Sequence, residues 1–301
     1  MQRLSIEHIA MIVVALSGLG WGIFWMPLRG LDTAGITGLW AVVIFNLVPL
    51  LLLLPVFITR IVKIRQSGWP LQISGMFAGT ALVLYSGSLI FTEIVNALFL
   101  FYLTPFWSTL LARFVLNEPI TRIRWLTMAI ALLGLIVILR LDQGLDITFN
   151  AGDWMGLASG IFWAIAAVRI NATDDLHPMD YTVSFFFWGT LVAIALTLLP
   201  LERTATFPDW ATIQSVLWWF IPVVIILIIP PAYAVIWGAT LISPGLLGIL
   251  VMTEIGAGAI SAAIFAGEPF GAREALGIFL IAIAGLLEPV SDVIKQRRAR
   301  G

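Results

Sequence analysis

The chain has 301 residues, 60% of them hydrophobic and only 11% charged, with a mean hydropathy of +1.04. A soluble domain carries about 25% charged residues, so this composition leaves too little charge to cover a water-facing surface and marks an integral membrane protein. The absence of cysteine and the presence of only two histidines, His8 and His177, exclude disulfides, thiolate sites and a histidine-rich metal centre, and a net charge of −1 argues against nucleic acid as a partner.

A helix needs about 20 mainly apolar residues to cross a hydrocarbon layer roughly 30 Å thick. Ten such runs follow in chain order, at about 7–28, 34–58, 71–91, 95–116, 124–140, 153–171, 181–200, 212–237, 244–266 and 271–289. Short breaks rich in proline, glycine or charge separate them, and none is long enough for a soluble domain. The runs are too long for barrel strands, which need about 9–11 residues. The first run follows Arg3 as a signal peptide would. However, it holds Trp21, Trp25 and Pro27 and lacks an A-x-A-like site, so it is expected to stay as a permanent helix. The expected fold class is an all-α membrane protein of ten transmembrane helices.

An even number of spans puts both termini on one side. That side collects Arg3, Arg60, Lys63, Arg65, Arg122, Arg124, Lys295, Arg297, Arg298 and Arg300. The other side holds Arg29, Arg140, Arg203 and Arg273, while Arg113 and Arg169 fall near span ends and are expected to snorkel. The excess of basic residues places both termini in the cytoplasm.

The chain also repeats itself. Asn117-Glu118-Pro119 after the fourth span recurs as Gly267-Glu268-Pro269 after the ninth, and Gly134 and Gly285 sit at similar depth in the helices that follow. Ser17-Gly18-x-x-Trp21 in the first span matches Ser159-Gly160-x-x-Trp163 in the sixth. Glutamate and proline are ordinary near a helix start, but three landmarks in the same order point to two five-helix units, 1–145 and 150–290, with a basic tail over 291–301. Five spans per unit force the second copy to enter the membrane upside down. Inverted repeats around a midplane axis are the architecture of secondary transporters, with a central cavity between the units.

These two units, each ending in a helix, a Gly/Asn-Glu-Pro turn and a glycine-containing last helix, resemble the paired EamA repeats of the drug/metabolite transporter superfamily over nearly the whole chain. Within that superfamily the chain is most similar to the YddG-type exporters of aromatic and other amino acids. The resemblance implies a basket-like central cavity and alternating-access export of amino acids from the cytoplasm across a bacterial inner membrane, without a cofactor. The first unit has Thr104-Pro105 where the second has Glu254-Ile255, so the two differ at mid-membrane.

Glu254 lies about ten residues into its span. An acid there costs several kcal/mol unless it faces water or the bundle interior, so it is a candidate for a substrate ammonium group or a coupling proton. The competing reading is a protonated glutamate hydrogen-bonded to a neighbouring helix. Tyr85, Tyr102, Trp21, Trp107 and Trp163 lie within spans, unlike Trp69, Trp125, Trp154 and Trp210, which flank them as interface anchors. Packing explains most such rings. Trp163, with its repeat counterpart Trp21, is the strongest candidate to line a cavity with Tyr85 and Tyr102 and hold an aromatic or cationic group. Asn46 is a candidate substrate donor, although a hydrogen bond to its own bundle is the more ordinary role. Pro230-Pro231 reads as a kink or hinge in the eighth span.

The rival class is an intramembrane enzyme holding Mg²⁺ with Asp174, Asp175 and Asp180. It needs a second acidic cluster, and no other loop on that side has one. The chain also lacks phosphate-loop, H-E-x-x-H and G-x-S-x-G motifs. The cluster is expected to be a solvated loop in which Asp180 caps the seventh span. The expected partners are a small amino-acid substrate and the bilayer, and a monomer suffices because the two units can bury each other.

Overall fold

A computed structural model describes residues 5–92, 94–139, 149–173, 176–199, 206–267 and 270–300. Asp174, Asp175, Arg140, Arg203 and the Glu268-Pro269 half of the second turn lie outside the described residues. Among the described residues every element is helical, and a helix falls in each of the ten apolar windows. They are α1 (Ile6–Thr33), α2 (Leu39–Leu52), α3 (Gly68–Phe91), α4 (Asn96–Val115), α5 (Arg122–Ile138), α6 (Ala151–Asn171), α7 (Pro178–Thr197), α8 (Trp210–Ala239), α9 (Pro244–Phe265) and α10 (Ala272–Ser291). Eight are long and apolar enough to cross a membrane. A ninth counts only if α2 is joined to the helix Leu54–Gln66, which continues it after a 74° bend. The tenth window, α5, has 17 residues, about 26 Å of helix, at the lower end of the length that spans a bilayer. Among the described residues eight helices, or nine with the bent pair joined, are clearly long and apolar enough to cross.

The bend after α2 has a local cause. Pro55 has no N–H to give the preceding turn, and beyond it the apolar run yields to Arg60, Lys63 and Arg65. The second span thus ends near Leu52, earlier than its hydropathy suggests.

Several helices are interrupted inside the bundle. In α4 the helix breaks at Tyr102 and Leu103 and resumes at Thr104. Pro105 cannot donate to the Phe101 carbonyl, and the Thr104 hydroxyl donates to that carbonyl in its place. In α9 the helix breaks at Met252 and resumes at Thr253. The two breaks, at Tyr102 and Met252, are 150 residues apart. The same interval separates Asn117 (φ 56°) from Gly267 (φ 72°), the left-handed residues that follow α4 and α9. Both are residue types that tolerate this conformation.

Packing repeats the interval again. A Cβ on Gly18 of α1 would come 2.9 Å from the Val251 carbonyl oxygen, and one on Gly160 of α6 would come 2.8 Å from that of Phe101. Val251 and Phe101 are also 150 residues apart. Absent side chains thus seat α1 against α9 and α6 against α4 at matching points. Elsewhere α3 lies along α6 and α7, α8 against α1, α2 against α7, and α5 against α10. At the last crossing Gly134 meets Gly277.

Two smaller expectations change. The cap of α7 is His177, whose Nδ1 accepts the Met179 N–H at 3.1 Å. Asp180 instead is buried and paired with Arg60. Arg169 is half-buried, with its Nε enclosed and without a hydrogen bond, rather than spread into the headgroup region.

Candidate transport site

The site assembles where α4 and α9 break. Glu254 sits in the first turn after the break in α9, and Tyr102 sits in the break of α4 itself. Irregular backbone at membrane depth is tolerated where it borders a cavity, and a cavity of about 770 Å³ lies there. Glu254, Tyr85, Tyr102 and Trp21 line its deep end. The rest of its wall comes from the late part of α1 (Trp25, Arg29, Asp32), the start of α2, the end of α3 (Ser86, Leu89, Ile90), the end of α5, late α9 and Glu274 of α10. All of these are helix ends away from the chain termini, so the cavity runs from mid-membrane to the face opposite the termini.

A second space of about 70 Å³ lies beyond the deep end. Trp163 and Trp21, the repeat pair, both border it, together with Phe101, Phe185, Ala81, Ala232 and Val251. Trp21, Tyr85 and Glu254 are common to both spaces, so these three side chains form the partition between them. The Tyr85 hydroxyl donates to Glu254 Oε1 at 3.5 Å, and the Tyr85 ring stacks on Phe101 with centroids 4.3 Å apart. Phe101 in turn contacts Tyr102 edge-on at 5.1 Å. Glu254 is only 7% exposed, and its surroundings are aromatic rings rather than cations.

Of the residues expected from the sequence, the structure brings together Glu254, Tyr85, Tyr102, Trp21 and Trp163. Asn46 and Trp107 do not line either space. Asn46 is buried between helices, donates to the Val42 carbonyl at 2.9 Å and packs against Gly189 of α7. Trp107 is half-buried with its Nε1 enclosed. Pro230 and Pro231 open the last part of α8, directly after a π-helical turn over Val224–Ile228. Two successive prolines withhold two backbone donors, and the widened turn is where the helix absorbs that loss. Pro231 also packs on Gly20 of α1.

Sequence reasoning missed Ser86, Arg29, Asp32 and Glu274. Ser86 has a signal visible only in the structure. Serine and threonine in these helices return their hydroxyls to a carbonyl three or four residues back, as Ser74 does to Pro70 and Ser88 to Tyr85. The Ser86 hydroxyl makes no hydrogen bond.

On the terminus side the bundle is closed. Arg60 pairs with Asp180 through both guanidinium and carboxylate edges, the second contact at 2.9 Å. Arg124 at the start of α5 pairs with Glu288 near the end of α10, and donates to Ser243 before α9 at 2.8 Å. Asn171 at the end of α6 donates to the Ala239 and Ile242 carbonyls, both at 3.1 Å. Among the described residues no group of three or more His, Cys, Asp or Glu is placed to hold a metal ion.

Residues 8–140 match the family described as the EamA-like transporter family. No curated protein matches the chain. A solved structure described only as the crystal structure of a protein aligns with a TM-score of 0.70 at 15% identity, covering 97% of this chain and 99% of its own. At that identity the likeness is one of fold.

Proposed function

We propose, from the premise that this multi-pass membrane protein carries an EamA-like transporter domain, that it is a secondary transporter exporting amino acids, aromatic and other neutral ones, from the cytoplasm by alternating access. The observation that carries this reading is a cavity that runs among the helix ends opposite the termini to a buried carboxylate beside aromatic side chains, with two ion pairs bridging the helices on the terminus side. A cavity of about 770 Å³ falls in the range of small-molecule sites. Its floor offers Glu254 to an ammonium group, and the faces of Tyr85, Tyr102 and Trp21 to a cation or an apolar arm.

Two five-helix units, 1–145 and 150–290, related by inversion, account for the paired helix breaks, the paired left-handed residues and the paired glycine seats. With the basic side in the cytoplasm, the cavity faces outward. Transport then consists of opening the Arg60–Asp180 and Arg124–Glu288 side while the outer ends of α1, α3, α9 and α10 close. Glu254 also offers a proton-binding group on the path.

The test is counterflow in proteoliposomes preloaded with unlabelled amino acids, following labelled tryptophan, phenylalanine and threonine with and without a pH gradient. Mutually competed uptake supports the reading. Gradient dependence lost in Glu254→Gln makes it proton-coupled. Absence of any amino-acid flux from correctly inserted protein rejects amino acids as substrates.

A further inference from the structure

We infer that the binding site reads an α-amino acid at three points, and that Ser86 and the small space behind Glu254, neither assigned by the reading above, supply two of them. This deepens the amino-acid reading and rests on it. The two spaces that meet at Trp21, Tyr85 and Glu254 differ in chemistry. The inner one is walled by Ala81, Phe101, Trp163, Phe185, Ala232 and Val251 and receives from Glu254 its one carboxyl group. The outer one carries Ser86, Tyr102, Arg29, Asp32 and Glu274 as well.

An amphipathic zwitterion has one orientation that satisfies this layout. Its ammonium group meets Glu254 at the partition, because that carboxylate repels a second one. Its carboxylate stays in the outer space, where the hydroxyl of Ser86, a residue 2% exposed, has no hydrogen-bond partner in the bundle. A buried hydroxyl left unpaired costs free energy, and a substrate carboxylate that accepts from Ser86 removes that cost. The side chain then points inward, into the apolar space between the repeat tryptophans.

The inner space sets the size of side chain accepted, with Ala232 and Ala81 as the residues that keep it open. Both are small, both are buried, and a longer side chain at either position occupies the volume the substrate needs. The orientation also separates amino acids from simple amines, since an amine without a carboxylate leaves the Ser86 hydroxyl unpaired.

The experiment uses full-length protein in proteoliposomes and three labelled probes: phenylalanine, alanine and phenethylamine. Ala232→Leu is expected to lower the ratio of phenylalanine to alanine flux about tenfold, the scale of discrimination that one or two methylenes give in an apolar pocket. Ser86→Ala is expected to lower the ratio of phenylalanine to phenethylamine flux by about fivefold to tenfold. Val251→Ala, which enlarges the same space and carries little risk to folding, is expected to raise the phenylalanine-to-alanine ratio. Detergent-solubilised protein of each variant is checked by gel filtration. Unchanged ratios in folded Ala232→Leu and Val251→Ala overturn the inner space as the side-chain seat. An unchanged ratio in Ser86→Ala overturns the carboxylate contact. If wild-type protein moves phenethylamine but neither amino acid, the amino-acid reading and the carboxylate contact both fail. The inner space is then still judged by whether Ala232→Leu reduces phenethylamine flux.

Discussion

Arg60 grips both carboxylate oxygens of Asp180, joining the bent continuation of α2 to the first turn of α7 across 120 residues of chain. Asp180 is 2% exposed, so the pair is sheltered from screening on one side, and removing one partner leaves the other charge stranded. Because the pair lies on the closed face, its loss favours conformations in which that face opens. The chain has no cysteine, so a single cysteine at Ala262 in the cavity wall reports access from the opposite face. Asp180→Asn is expected to slow its labelling by a membrane-impermeant maleimide by about threefold or more. Equal labelling rates in both proteins count against a gating role for the pair.

Glu254 is the acid nearest the centre of the transport path. Glu254→Gln keeps the volume and the contact with Tyr85 but removes the charge that attracts an ammonium group. Flux is expected to fall about tenfold or more, with membrane insertion and the gel-filtration profile intact. Flux within twofold of wild type would return Glu254 to a packing role.

Trp163 and Trp21 border the inner space from opposite units. Trp163→Ala is expected to lower phenylalanine and tryptophan flux by about fivefold to tenfold, more than it lowers threonine flux, because the stacking face is lost. Intact rate and selectivity in the variant remove Trp163 from the site.

The seating of α1 on α9 depends on the absence of a side chain. A Cβ at Gly22 would collide with the Glu254 carbonyl and the Ala257 methyl. Gly22→Val is expected to destabilise the protein by about 1–3 kcal/mol, seen as a lower Tm in detergent by tryptophan fluorescence. A Tm equal to wild type shows that the helices part without cost at this point.

Glu118, in the turn after α4, is held above the usual glutamate range by burial and further raised by Glu288, with Arg124 pulling it partly back. A carboxyl raised on folding favours the folded state when protonated, so its contribution is present below the ordinary glutamate range and is lost as pH rises through the raised value. Glu118→Gln is therefore expected to raise Tm at pH 7 to 8 and to leave it unchanged near pH 4. A Tm gain that is the same at both pH values rules out titration of this group as its source.

Helix positions were legible in the sequence because a membrane imposes a length and an apolar composition that any window can register. Where composition and backbone geometry part, the reading slipped. α2 ends just before a proline inside an apolar run, and α5 sits at the lower end of span length. Glu254, Tyr85 and the Trp21–Trp163 pair were legible because an acid, a tyrosine or a repeated tryptophan at mid-span stands out chemically. Ser86 did not stand out. Serine in a membrane helix usually satisfies itself against its own backbone, and only the three-dimensional arrangement shows that this one does not. Asn46 is the converse case: a polar group at mid-span is conspicuous whether it faces a cavity or its own helix, and here it takes the more ordinary role, donating to its own helix and packing on Gly189.

The π turn of α8 bears on the direction in which the protein rests. Two identical units in opposite orientation would make the inward and outward forms equivalent by a two-fold rotation in the membrane plane and equal in energy, each populated half the time. Here α3 is an unbroken helix, whereas α8, five spans later, carries a widened turn and two adjacent prolines. In the proposed alternating-access cycle the straight helix and the bulged one could not trade places without strain, so the two forms would differ in energy. A difference of only about 1.4 kcal/mol leaves one form ten times as abundant as the other. The irregularity of one helix thus gives a nearly symmetric molecule a preferred side on which to wait.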